Sequence, residues 1–257
     1  MPEWSADEVD AIVAARGIDP AQVAPAVRKR LRNPRILGIA FELLDTAEIR
    51  GFTELSIDQL LFEHIRRGAG DAGVPETAAD FAHRLARHAQ EIIARIRSQA
   101  PEDRLVFERR DGGLGADGLT SALLAVTGEH FFRPLPEDPA LYSLTDDGLV
   151  LALGLSVIKT LQKAERRGGD LAEALQVLLE PIAALDKTAE AVFAAAVVAS
   201  LDSDCTGTLR RALIAGLLRL QNLDGERYGA FVGIVRNAPA AATGGLYDLT
   251  TTAPHAP

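Results

Sequence analysis

Apolar residues recur at helical spacing over most of the chain, and nearly every run begins at a recognisable start signal. Ser5-Ala6-Asp7-Glu8 reads as a capping box, in which the Ser hydroxyl and the Glu carboxylate satisfy orphan amides ahead of Val9, Ile12 and Val13. This helix is expected to end near Gly17. A second helix is predicted over 20–32. Asn33-Pro34 then opens a third, with Asn as cap and Pro at the first helical position, where its missing N–H costs nothing. Ile36, Leu37, Ala40, Phe41 and Leu44 form its apolar stripe. Ser56-Ile57-Asp58-Gln59 is another box, opening a run with Leu60, Leu61 and Ile65. Residues 68–75, rich in Gly and Ala, read as a loop, and a long helix follows from Thr77 with Phe81, Leu85, Ile92, Ile93 and Ile96.

Around residue 100 the period changes. Leu105-Val106-Phe107 reads as a short strand, Asp111-Gly112-Gly113 as a turn, and 116–126 as a helix carrying Leu119, Leu123 and Leu124. His130-Phe131-Phe132-Arg133 and Leu141-Tyr142-Ser143-Leu144, either side of a loop bounded by Pro134 and Pro139, read as a hairpin. Thr145-Asp146-Asp147-Gly148 caps a helix that runs through Leu149, Leu153 and Ile158 to about Arg166. Strand, helix, hairpin and capped helix, in that order, is the pattern of a winged helix.

From residue 168 the pattern is helical again. Asp170 and Glu173 make a box for 171–179, and Pro181 is expected to break or kink the run. Residues 191–201 carry no charge; eleven residues fall short of the ~20 that span a bilayer, so a buried core helix is expected and no membrane association. Two further helices are predicted over 208–220 and 228–236. Residues 237–257 are small and polar without an apolar period and read as a disordered tail. The expected fold is mainly α: a helical domain over 1–99, a winged-helix domain with a small β-hairpin over 100–167, and a C-terminal helical bundle or helical-repeat segment over 168–236, followed by the tail.

Composition agrees with this pattern. The chain has 257 residues, enough for one or two domains with a full core, and 43 alanines against 13 aromatics favour close-packed helices over sheets. A single cysteine, Cys205, leaves no disulfide framework and no thiolate metal site, and points to a reducing compartment. The acidic start has no apolar stretch of signal-peptide type, so a cytoplasmic location is expected.

Candidate chemistry is sparse. Of the five histidines (His64, His83, His88, His130 and His255), only His83 and His88 are close, and five residues put them ~140° apart around a helix, where they cannot share a metal as an i, i+4 pair does. Carboxylates sit mostly at helix starts, where anions complement the dipole, and this accounts for Asp146-Asp147. There is no P-loop, no dinucleotide fingerprint and no nucleophile elbow; Gly112-Gly113-Leu114-Gly115 reads as a turn. No catalytic or metal residues are assigned, and the chain is not expected to be an enzyme.

The strongest basic cluster is Arg28-Lys29-Arg30-Leu31-Arg32-Asn33-Pro34-Arg35, read either as cations at a helix C-terminus or as a contact for phosphate or an acidic partner. The helix that would enter a DNA groove has neither Lys nor Arg from 116 to 130. On a chain of net charge −9 it would be repelled by phosphates, even with Arg109, Arg110 and Arg133 at its flanks. Nucleic acid is not the expected partner.

Leu31-Arg32-Asn33-Pro34-Arg35-Ile36-Leu37 is similar to the L-x-N-P-x-x-L helix start of the first helical domain after the ATPase core in bacterial NACHT-type signal-transduction NTPases, the STAND class that includes anti-phage defence sensors. Residues 55–66 resemble that family's L…LL…YI helix, and 104–165 its winged helix. In the family the proline lies near the adenine, so the resemblance puts Pro34, with Arg32 beside it, near a nucleotide. Leu144-Thr145 stand where the family's phosphate-sensing histidine would be. Walker A and B elements are missing, so no cofactor is implied in isolation and ATP or ADP only with an NTPase core in trans. The resemblance implies a fragment, split product or degenerate relative of a larger switch. Its implied function is a non-catalytic regulatory and protein-interaction module, with arms that close over nucleotide at rest and swing away on sensing. Tyr142-Ser143-Leu144-Thr145-Asp146-Asp147-Gly148 is also similar to the Y-S-L-T-x-x-G segment of small winged-helix transcription regulators, which implies a DNA-binding regulator as the alternative. A free-standing helical scaffold with a protein partner is the third reading.

Overall fold

Cap chemistry sets the helix starts in the computed structural model, which describes residues 3–71, 78–98, 105–108, 131–138, 141–220 and 225–252. Helix α1 (Ala6–Ala15) opens on the box read from sequence: the Ser5 N–H donates to Glu8 Oε2 at 2.7 Å and the Glu8 N–H to Ser5 Oγ at 3.3 Å. The segment expected as one helix over 20–32 is two pieces, a 3₁₀ turn at Pro20–Gln22 and α2 (Pro25–Leu31), because Val23 and Ala24 are extended ahead of Pro25. In α3 (Pro34–Asp45) Asn33 Oδ1 accepts from the N–H groups of Arg35 and Ile36. Helix α4 (Ile57–Asp71) runs on through Gly68 and Gly70, where a loop was expected, and α5 (Ala78–Arg97) follows.

Three short strands come next: β1 (Val106–Glu108), β2 (Phe132–Pro134) and β3 (Leu141–Leu144). They pair antiparallel in the order β1-β3-β2, with Phe107 opposite Tyr142 and Arg133 opposite Ser143. The helix expected over 116–126, the turn at 111–113, Arg109, Arg110, His130 and His255 lie outside the described residues.

Helix α6 (Asp146–Arg166) is capped by the Thr145 hydroxyl, α7 (Leu171–Ala183) by Asp170, and α9 (Gly207–Arg219) by Thr206. Between the last two lies α8 (Thr188–Leu201), in which every residue from 191 to 199 is buried. The uncharged run is thus a core helix, as its length required. Gly154 of α6 is where the two backbones meet: a Cβ there would stand 2.8 Å from Ala194 Cβ and 2.9 Å from Ala195 N.

Pro181 does not end α7, which continues to Ala183. Proline leaves the Val177 carbonyl without its usual donor four residues on, and Arg97 Nη2, from the end of α5, takes that acceptor at 3.1 Å.

Over residues 239–252 a helix replaces the expected disordered tail, and residues 253–257 lie outside those described. After α10 (Gly225–Asn237), Pro239–Thr252 form α11, packed against α9. Ala238, Ala241 and Ala242 are buried, a Cβ on Gly245 would lie 3.2 Å from Ala215 N, and Arg211 pairs through Nε and Nη2 with Asp248. Small residues here make close helix contact instead of marking a chain without a core.

Buried apolar residues from Val9 to Ala242 form one contiguous cluster. Among the described residues no helix is long and apolar enough to cross a membrane.

Candidate cleft at three helix starts

Three helix starts carry acidic first turns for the same dipole reason, and the fold brings them to one place. Asp58 is the second residue of α4, Asp146 and Asp147 open α6, and Glu190 lies in the first turn of α8. They surround a cleft of about 240 Å³, whose apolar walls come from Val27, Leu55, Ile57, Val150 and Phe193. Arg227 of α10 and Lys187, just before α8, complete the rim.

Three of the four carboxylates have a cation. Lys187 Nζ lies 3.0 Å from Asp146 Oδ1, Arg30 pairs with Asp147, and Arg227 Nη2 is 3.5 Å from Glu190 Oε1. Arg227 also sits over the Phe193 ring, 6.0 Å from its centre. Asp58 is different. It is only 9 % exposed, and among the described residues it has no ion pair and no hydrogen bond to another residue. Burial first, then the charge of Asp147, pushes its carboxyl up to about 7, against a weaker opposite pull from Arg227. Near neutral pH both its protonated and its ionised forms are therefore accessible.

The residues singled out in the sequence are elsewhere. Pro34 is half-buried in the first turn of α3, and Arg32 is tied to the N-terminal segment: its Nε donates to the Trp4 carbonyl at 2.9 Å, its Nη2 is 3.8 Å from Glu3, and the Trp4 N–H returns a bond to the Arg32 carbonyl. Neither lines the cleft. The basic cluster is largely engaged within the chain, since Arg28 reaches the Pro20 carbonyl and Asp10, and Arg30 reaches Asp147; Lys29 is exposed.

The three described histidines, His64, His83 and His88, lie on helices α4 and α5 away from the cleft. His88 is buried among Phe107, Phe132 and Tyr142, its Nδ1–H donating to the Arg84 carbonyl at 2.8 Å and its Nε2 accepting from the Tyr142 hydroxyl at 2.7 Å. Burial holds it below the ordinary histidine range, so it is neutral at pH 7. His83 meets Lys159 Nζ at 3.0 Å, and His64 is buried in α4. No group of three or more His, Cys, Asp or Glu side chains is arranged to hold a metal among the described residues.

Asp58 and Asp147 were visible in the sequence only as cap residues, and Lys187, Glu190 and Arg227 gave no signal. Nothing local tells that three helix starts converge. Comparison with protein-family models, with curated proteins and with solved structures finds no match.

Proposed function

We propose that this chain is a non-catalytic regulatory and interaction module of the kind that follows the ATPase core in STAND-type switches, working with an NTPase core or other protein partner supplied in trans. The observation that carries the reading is the Arg30–Asp147 ion pair, which joins the helix before Asn33-Pro34 to the first turn of the helix after β3. Those are the two arms that part in such a switch. Two further features support it: the antiparallel order β1-β3-β2 between α5 and α6 suits a winged helix, and side chains of both arms line one cleft. In this reading the ion pair holds the closed arrangement, and an activating partner shifts the population away from it.

Hydrogen exchange tests this. In R30E, amides of α2 and of the first turn of α6 should exchange about 10-fold faster, since loss of an ion pair worth up to ~1 kcal/mol and the like-charge repulsion that replaces it together approach a tenfold change, while α9 and α11 stay as protected as in the wild type. Unchanged exchange in both arms, or robust MgATP hydrolysis by the purified chain, rejects the reading. Duplex-DNA binding that weakens steeply between 50 and 200 mM salt (a range of ~10³ or more for six contacts) would instead make it a DNA-binding regulator. The intramolecular engagement of Arg28, Arg30 and Arg32 argues against that outcome.

A further inference from the structure

The cleft holds an imbalance that the switch reading does not use. Asp146, Asp147 and Glu190 each have one cation, and Asp58, nine-tenths buried and lining the same cleft, has none among the described residues. A buried carboxylate without an ion-pair partner is costly, and among the described residues only its own backbone N–H and the more distant charge of Arg227 offset that cost. We propose that this cleft is a binding site for a small organic cation, a primary amine with a short apolar body, whose ammonium pairs with the Asp58 carboxylate.

Chemistry and size narrow the class. An anion attracted by the helix dipoles would find those three starts already occupied by their own first-turn acids, with Lys187 and Arg227 already paired. A divalent metal would find no set of three ligands among the described residues. The cleft, at about 240 Å³, is below the ~300–1,000 Å³ of sites for drug-sized ligands, so the occupant is a metabolite-sized molecule. Its apolar part has Val27, Leu55, Val150 and Phe193 to cover.

Protonation supplies an independent readout. The charged groups facing Asp58 are Asp147 and Asp146 from α6, Glu190 and Lys187 at the start of α8, Arg227 from α10, and Arg30 from α2 through its pair with Asp147. An ammonium needs the ionised carboxylate, so binding displaces the proton that burial favours. Affinity should therefore fall about 10-fold from pH 8 to pH 6, with net proton release at pH 7.

The experiment is calorimetric titration of the full chain with pentylamine, cadaverine, agmatine and phenethylamine, with pentanol and pentanoate as uncharged and anionic counterparts. At least one amine should bind with a Kd of about 1 mM or tighter, in two buffers whose ionisation heats differ enough to count released protons. D58N should weaken that amine at least ~10-fold and abolish the proton release. V150W, which keeps Asp58 and fills the cleft, should also abolish binding, and it decides the matter if D58N fails to fold. No binding by any of the four amines, equal binding by D58N, or preference for pentanoate overturns the proposal. The arms of R30E swinging or staying closed does not enter this result, so it stands or falls apart from the switch reading.

Discussion

At Asp58 the cost of burying a carboxylic acid falls on one side chain, and its sign with pH follows. The ordinary value is 3.8 and the folded value about 7, so from about pH 4 to about pH 7 the unfolded chain has lost a proton that the folded chain keeps. Stability therefore declines as pH rises through that window and levels off above it. The shift corresponds to a penalty of order 4 kcal/mol at alkaline pH, less whatever the start of α4 returns through its dipole. D58N should gain about 1–3 kcal/mol at pH 8 and lose the decline between pH 5 and 8, as read by urea denaturation at both values. A decline of unchanged size in D58N would assign it to another group. Cys205 is the inert counterpart: burial and Asp202 push its thiol up to about 12, so it should resist alkylation until the protein unfolds. The identity of Asp58 as a helix-start acid was legible in the sequence, because capping is local. Its burial was not, because the atoms that exclude water come from α2, α6, α8 and α10.

Among elements, the capped starts and several ends were legible, the first helix stopping just before Gly17 and α6 at Arg166, whereas the contacts were not. Ser5, Asn33, Ser56, Thr145 and Asp170 each cap the helix they precede, as the sequence reads, and Thr206, which the sequence reading passed over, does the same for α9. Helix ends are served at a distance: Arg210 donates from Nε to the Ala199 carbonyl at 2.7 Å and from Nη2 to the Asp202 carbonyl at 2.8 Å, closing the C-terminus of α8. Arg95 reaches the Val106 carbonyl of β1 at 2.6 Å through Nη1 while lying over the Phe107 ring. The forked contact of Arg210 and the ring stacking of Arg95 both suit guanidinium, and the chain has 23 arginines to 4 lysines. Arg236 grips the loop at 48–54 through Glu54 and the Glu48 carbonyl, and this holds α10 so near that a Cβ on Gly229 would overlap the Thr53 carbonyl oxygen. G229A should destabilise by about 3 kcal/mol, because backbone must move on one side or the other; a Tm within 2 °C or so of the wild type would show that α10 does not dock this closely.

For the whole molecule, residues 238–252 decide between two pictures. A disordered tail would be dispensable. As α11 it covers α9 with Ala238, Ala241 and Ala242, and Arg211–Asp248 fixes the crossing. Ending the chain at Asn237 should lower Tm by several degrees and speed hydrogen exchange in α9, whereas an unchanged melt would restore the tail. The sequence misled here because Ala and Gly that pack helix against helix have the same composition as Ala and Gly in a linker, and only the partner surface distinguishes them. The junction of α5 and α7 shows a related dependence. One carbonyl, that of Val177, is open to Arg97 because position 181 has no N–H to offer. Any other residue at 181 would restore a competitor for the same lone pairs, so the two positions share a single acceptor. Substitutions at 97 and 181 are then thermodynamically coupled: P181A removes part of what R97A has to lose, and the double variant falls short of the sum of the two.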